Sequence, residues 1–383
     1  MQPGGKRAAR SQIEFSDRAY PSKMNSQMRN QLIQPRLKRV PAAITALLLL
    51  GALLTLFSFA ARSDKEGVRL DSGHRQMMGT YAQIVLRTPH EHLGRAAAEA
   101  AFDRQHRVDD LMSYHRSDSE LARINAEAYA SPVTVDQQTF DVLERAVEIS
   151  QWSDGAFDIT VGPLVDLWNR AADSNTLPTE DELAEAQSKV GWTQLKLDPQ
   201  QRSVAFLVEG MRIDLGGIAK GYAIDRSVDV LRQRGVTAAM VDIGGDIRCF
   251  VGGPSDRAWR IGVQDPDRTD GDLDGTPAYL WVLKLKNKAV ATSGHYRRFA
   301  LIDGEKVSHI VDARRGRSSS QLKSVTVLAE DAMTADALAT AVSVLGHKKG
   351  MRLIEGLDGV EALIIVDDPN DPLTSSGMDA FLQ

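Results

Sequence analysis

The chain has 383 residues, 43% hydrophobic and 25% charged, an ordinary globular composition with room for one large domain or two small ones. Its formal net charge of −5 gives no basis for nucleic-acid binding, and no nucleic-acid partner is expected. The single cysteine, Cys249, excludes an intrachain disulfide framework.

Lysine and arginine dominate residues 1–40, where only Glu14 and Asp17 oppose them, and Pro41 to Ala61 then carry no charge. As a helix that run spans roughly 30 Å, the thickness of a bilayer core. The basic flank predicts a cytoplasmic tail over 1–40 and export of the chain from about Arg62 onward. Residues 41–61 read as a transmembrane signal-anchor. Ser58-Phe59-Ala60 also fits a signal-peptidase site, which would leave a released form.

Gln76 to Arg87 alternates towards its end and predicts a first strand, with Met78-Gly79-Thr80 at its head. The Met78 thioether suits either a flat ligand ring or the core. Helical spacing of Leu93, Ala97, Ala101, Val108 and Leu111 predicts a helix from His92 to Met112. A loop bearing Tyr114 follows, then a short helix capped by Ser117 or Asp118. Tyr114 there either stacks on an aromatic ligand or plugs the surface. A further amphipathic helix, Phe140 to Trp152, stops at the turn Ser153-Asp154-Gly155. Ala156 to Trp168 is rich for a loop, with Phe157, Asp158, Asp166 and a Gly-Pro break. Asp158 reads as a ligand contact or as the cap of a helix ending at Trp168. Thr179 to Val190 is a surface helix with a Thr179–Glu182 capping box, and Leu195 to Phe206 a hairpin.

Ile213 to Asp225 carries the most chemistry. It is apolar and strand-like going in, glycine-rich at Gly216-Gly217 and helical coming out, a backbone shape that suits a phosphate group. Lys220 adds a point charge. Asp214 suits a ribose hydroxyl, an amide edge or a metal. The spacing matches neither a P-loop nor GxGxxG. After a helix through Arg234, the strand Ala238 to Ile243 ends at a second glycine corner, Gly244-Gly245-Asp246, which suggests two corners converging on one site. Strands follow around Trp259 to Val263 and Leu280 to Leu285, and another enters Thr292-Ser293-Gly294-His295-Tyr296. Ser308 to Gly316 places His309 inside a β-like run, where it is structural or takes a proton near neutral pH. Ser324 to Ala329 is a strand and Asp331 to Leu345 a helix capped by Thr334. Asp336 and Thr340 stand four apart on that helix, a workable half-site of hard oxygens for Mg²⁺.

In order and content, these segments resemble the ApbE family of FAD:protein FMN transferases over roughly residues 70–365. The matching stretches are Met-Gly-Thr at 78–80, Ser113-Tyr114 with Ser-Glu-Leu at 119–121, Ala-Phe-Asp at 156–158, and Asp-Leu-Gly-Gly-Ile-Ala-Lys-Gly-Tyr-Ala at 214–223. Gly-Gly-Asp at 244–246, Thr-Ser-Gly-His-Tyr at 292–296 and Asp-Ala-Leu-Ala-Thr-Ala at 336–341 complete the set.

The resemblance implies an α+β fold of antiparallel sheets flanked by helices, preceded here by the transmembrane or signal helix and followed by a tail at 366–383. It implies FAD as substrate, surrounded by Met78, Tyr114, Ala156, Phe157 and Asp158, with Asp214 and Lys220 on the dinucleotide. Gly217 through its carbonyl, Asp336 and Thr340 would ligate Mg²⁺, and His309 would be the base. The family usually has Pro and Thr after that histidine, where Ala313 and Arg315 stand here. The implied reaction attaches FMN to a Ser or Thr in a Ser/Thr-Gly-Ala-Ser/Thr-like loop of an acceptor, releasing AMP. The acceptor expected is a membrane electron-transfer subunit, with the catalytic domain in the periplasm on a bacterial inner membrane. The alternatives are an Mg²⁺-dependent FAD pyrophosphatase and a non-catalytic FAD carrier.

Overall fold

The computed structural model describes residues 67–252, 257–268, 279–294, 299–319 and 322–383. The expected tail at 1–40 and apolar span at 41–61 lie outside them, as do His295 and Tyr296. Among the described residues no helix is long and apolar enough to cross a membrane.

The chain begins with β1 (Val68–Asp71), β2 (Arg75–Met77), β3 (Thr80–Thr88), α1 (Glu91–Met112), α2 (Glu120–Glu127), β4 (Val133–Thr134) and α3 (Gln137–Trp152). It continues through α4 (Gly162–Ser174), α5 (Glu180–Ser188), β5 (Leu195–Asp198), β6 (Ser203–Phe206), α6 (Ala219–Gln233), β7 (Ala238–Ile243) and β8 (Asp246–Val251). Then come β9 (Trp259–Gln264), β10 (Tyr279–Leu285), β11 (Lys288–Gly294), β12 (Phe299–Ile302), β13 (Glu305–Ser308), β14 (Val311–Asp312) and β15 (Arg317–Ser318). The last elements are β16 (Ser324–Ala329), α7 (Ala332–Glu355), β17 (Glu361–Ile365) and β18 (Leu373–Thr374).

One antiparallel sheet organises these elements, in the order β1-β3-β7-β8-β11-β16-β17-β18, with β2 paired to β3. Because successive strand residues point to opposite faces, Val241, Ile243, Phe250, Ala291, Val325 and Ile364 pack on one side with Phe102 of α1, Val228 of α6 and Leu338 of α7. Ile247, Cys249, Val290, Leu328 and Leu363 point the other way and are covered by Ile261 and Val263 of β9 and Leu283 and Leu285 of β10. Each large side chain so buried contributes about 1.5–3 kcal/mol. This is the α+β arrangement of antiparallel strands and helices that the family resemblance implies.

Two features lock α7 against α6. Asp225 of α6 accepts from the backbone N–H groups of Ala332 and Met333 at 2.9 and 3.0 Å, satisfying donors that α7 leaves open, and Arg248 of β8 pairs with it at 2.7 Å. Gly221 provides the close approach, since a Cβ there would stand 2.2 Å from the Ala332 carbonyl oxygen.

Several local expectations need correction. The segment 76–87 is a hairpin, not one strand, because Met78 and Gly79 both adopt positive φ (48° and 71°) and turn β2 into β3. Ser119, not Ser117 or Asp118, caps α2, through a 3.0 Å bond from the Ala122 N–H. Asp331, not Thr334, caps α7, and the Thr334 hydroxyl donates to it. The helix after Pro163 runs on to Ser174, and α7 continues past Leu345 through a break at Gly346 (φ 74°, ψ 169°). Residues 366–383, expected as a tail, pack on the domain: β18 pairs with β17, and Met378 is fully buried.

Candidate functional site

Helix α6 starts at Ala219, directly after the loop Asp214-Leu215-Gly216-Gly217-Ile218, so Lys220 lies in its first turn. From there Lys220 Nζ donates to both carboxylate oxygens of Asp336 on α7, at 3.0 Å each, and lies 2.7 Å from Asp246 Oδ2 at the start of β8. The Gly221 N–H adds a 3.2 Å bond to Asp336 Oδ2. The acid side chains are 6% and 5% exposed and that of Lys220 26%. Burial pulls the Lys220 ammonium down, but the two carboxylates outweigh it and hold it above the ordinary lysine value. Burial, opposed by Lys220 and aided by Asp246, raises the Asp336 carboxyl. With all three ionised, this water-poor cluster carries one net negative charge, which favours a cation.

Gly217 faces the same place from the loop. A Cβ built on it would stand 3.3 Å from Thr340 Oγ1 and 3.3 Å from Phe157 Cε2. Gly217 thus lies beside Thr340, which stands one turn from Asp336 on α7, and a carboxylate, a hydroxyl and a main-chain oxygen from these three residues would be hard donors of the kind that suit Mg²⁺. Among the described residues no three His, Cys, Asp or Glu side chains gather as a metal set, so a cation here depends on this mixed set. The missing side chain at 217 keeps the cradle open, and the donors fit the ion.

Next to it, Phe157 and Ala156 are buried, 4% and 3% exposed. Their loop is shaped by Asp158, whose Oδ1 accepts from the Thr160 N–H and hydroxyl at 2.8 and 2.7 Å and whose Oδ2 accepts from the Trp192 N–H at 3.0 Å. The capping role first open to Asp158 thus falls on the 158–160 turn, not on the helix behind it. Burial raises the Asp158 carboxyl, against these donors. Asp214 is tied to the same loop by its N–H, 2.7 Å from the Ile159 carbonyl, while its Oδ1 accepts from Gly216 N–H at 2.8 Å. Burial raises its carboxyl too. The strand expected to lead into this stretch is only a single bridge, Val161 with Arg212.

Tyr114 stands over the loop's far side. Its hydroxyl donates to Asp166 Oδ1 at 2.8 Å, Arg212 lies over its ring at 5.2 Å, and Arg212 pairs with Asp166 at 3.0 Å. Burial and Asp166 raise its phenol. His309 is exposed on the bend between β13 and β14, not within a strand. That bend is anchored by the Ile310 N–H donating to Ser308 Oγ at 3.1 Å, and Ile310 packs with Ala156 and Val344. Asp312 bonds Arg314 through its N–H and guanidinium, organising the loop where Ala313 and Arg315 replace the expected residues. Met78 lies on the β2–β3 turn, half-buried against the main core that also contains Phe157.

Asp246 was not among the candidate residues. Its signal was the Gly244-Gly245 corner before it, and the expected convergence of two glycine corners is what the Lys220–Asp246 pair achieves. Asp166 and Arg212, which hold Tyr114, had no signal in spacing.

Comparisons with known proteins show the family. A model of the ApbE family matches residues 78–364. The FAD:protein FMN transferase of Vibrio cholerae is 35% identical over 280 residues, covering 72% of this chain and 81% of that protein. That of Treponema pallidum is 35% identical over 287 residues, with 71% and 78% covered. Among solved structures, the ApbE protein from Thermotoga maritima superposes with a TM-score of 0.72 at 31% identity, covering 82% of this chain and 100% of the other. The flavin transferase ApbE from Vibrio cholerae gives 0.69 at 31% identity, with 82% and 99% covered. The chain belongs to the ApbE family.

Proposed function

We propose that the protein is an FAD:protein FMN transferase, moving FMN from FAD to a Ser or Thr hydroxyl of an acceptor protein with release of AMP. One observation carries the reading: the buried Lys220–Asp246–Asp336 cluster opens onto the Gly217–Thr340 cradle beside Phe157, in a chain of this family. Transfer forms a bond from the acceptor oxygen to the FMN phosphorus and breaks the bond from that phosphorus to the bridging oxygen, which leaves with AMP. His309, exposed on its bend, takes the hydroxyl proton. Lys220 offers its ammonium to the pyrophosphate, Asp214 and Tyr114 hold the dinucleotide, and Ala156, Phe157, Asp158 and Met78 bound the ring systems. Asp336, Thr340 and the Gly217 carbonyl would hold Mg²⁺, whose charge would offset that of the phosphates. The acceptor we propose is an exported loop of a membrane electron-transfer subunit, with residues 41–61 holding the enzyme at the inner membrane and its catalytic domain in the periplasm.

The test incubates the purified protein with FAD, Mg²⁺ and an acceptor bearing a Ser/Thr-Gly-Ala-Ser/Thr loop. A fluorescent acceptor band on a denaturing gel, lost with Asp336→Ala, is expected. Free FMN and AMP without a band would mean hydrolysis instead, and intact FAD a carrier.

A further inference from the structure

We infer that Asp246 is a positioning residue that retains Lys220 while Asp336 takes up a divalent cation. The inference rests on the cation site proposed above. Both oxygens of Asp336 accept from Lys220 at 3.0 Å, so the ammonium and an incoming cation compete for one carboxylate. In a buried cluster their repulsion is weakly screened, and the ammonium must yield. Asp246 Oδ2, already 2.7 Å away, is the carboxylate that remains to it.

Asp246 is built to stay in place. It follows the Gly244-Gly245 turn as the first residue of β8, and the Thr292 N–H of β11 donates to its Oδ1 at 3.3 Å. It shares the helix-facing side of β8 with Arg248, which pairs with Asp225 of α6, and with Phe250 in the main core. One oxygen is thus held by the sheet and the other engages Lys220. With Asp246 present, freeing Asp336 shifts the ammonium towards a second carboxylate instead of leaving it unpaired in a buried place, and it stays beside the phosphate site. Without Asp246, Lys220 has Asp336 alone and opposes cation entry. A direct attraction between the Asp246 charge and the cation predicts weaker binding too, but that effect does not need Lys220.

Isothermal titration of Mg²⁺ into the full-length protein without FAD separates the two. The proteins compared are the unsubstituted chain, Asp246→Asn, Lys220→Gln and the double variant. Asp246→Asn should weaken Mg²⁺ binding by about tenfold, and this loss should vanish when residue 220 is already glutamine. An equal loss in the Lys220→Gln background overturns the inference while leaving the cation site standing. Unchanged affinity in Asp246→Asn also overturns it. Absence of binding by the unsubstituted chain removes the cation site and the inference together. Asparagine keeps an acceptor for the Thr292 N–H, and circular dichroism melts check that each variant is folded. Asp246→Ser, which also removes the charge, should show the same loss and replaces Asp246→Asn if that variant does not fold.

Discussion

Lys220 Nζ lies 2.7 Å from Asp246 Oδ2, although one residue opens a helix and the other opens a strand. Each follows a pair of glycines: Gly216-Gly217 leads into α6, and Gly244-Gly245 turns β7 into β8. The second pair is a hairpin turn with φ of 66° and 92°, a conformation for which glycine carries no Cβ penalty. The sheet brings the two turns together because β8 faces α6 with its even-numbered residues. Asp246 and Arg248 both point to that helix, one to Lys220 and the other to Asp225.

Tyr114 offers the plainest separation of a ligand contact from a surface plug. Tyr114→Phe keeps the ring under Arg212 and removes the 2.8 Å bond to Asp166. It should cost about 1 kcal/mol of stability and leave the KM for FAD within about twofold. Tyr114→Ala removes the ring and should raise that KM by about tenfold or more if the ring stacks on FAD. Steady-state kinetics on both variants decide it: an unchanged KM in Tyr114→Ala makes the ring a plug.

Asp225 should give the fold a pH dependence of known sign. Burial, opposed by Arg248, raises its carboxyl to about 6. A carboxyl raised above its unfolded value binds its proton more firmly in the folded state, so its contribution is fully present below the unfolded value and is lost as pH rises through about 6. Asp225→Asn lacks that titration. The stability of the unsubstituted protein relative to Asp225→Asn should therefore fall between pH 4 and pH 7, by up to about 3 kcal/mol. Denaturant midpoints at four pH values measure it, and a difference that grows with pH would reverse the assignment.

Gly221→Ala tests the helix crossing on which the cluster depends. The added methyl meets only backbone, the Ala332 oxygen at 2.2 Å and carbonyl carbon at 2.5 Å and Met333 Cα at 2.6 Å, so no side chain can swing aside. A loss of about 1–3 kcal/mol or more is expected in urea unfolding. Because relief requires α7 to move off α6, Mg²⁺ binding should weaken alongside. A variant as stable as the parent would show that the crossing has slack.

Much of this site was legible in the sequence because its residues are close along the chain or share one helical ridge. Asp336 and Thr340 lie one turn apart, and Gly217 and Lys220 occupy a single loop and first turn. What was hidden depends on strand pairing and parity. Asp246 reaches Lys220 only through the register of β7 and β8, and a one-residue slip would turn it to the opposite face. His309 read as part of a β-like run because Ile310 and Val311 follow it, yet the Ser308 hydroxyl accepts the Ile310 N–H and bends the chain there. Capping positions shifted by one to three residues for a related reason: Ser119 and Asp331 were chosen by which side chain reaches an open N–H, a choice that several neighbouring polar residues offered equally.

Gly217→Ala should separate function from stability at the cradle. Its methyl would sit 3.3 Å from Thr340 Oγ1 and from Phe157 Cε2, tight but against side chains, unlike the backbone clash at Gly221. Small shifts of Thr340 and Phe157 relieve it, so the cost in unfolding free energy should stay within about 1 kcal/mol. Those same shifts move a proposed cation ligand and the ring beside it. The Mg²⁺ concentration needed for half-maximal flavin transfer should therefore rise about tenfold, since sub-ångström misplacement at a reacting site is costly. Transfer assayed over a Mg²⁺ series, beside a denaturation curve, gives both numbers. Unaltered Mg²⁺ dependence in a folded Gly217→Ala protein would place the cation elsewhere than between Gly217, Asp336 and Thr340.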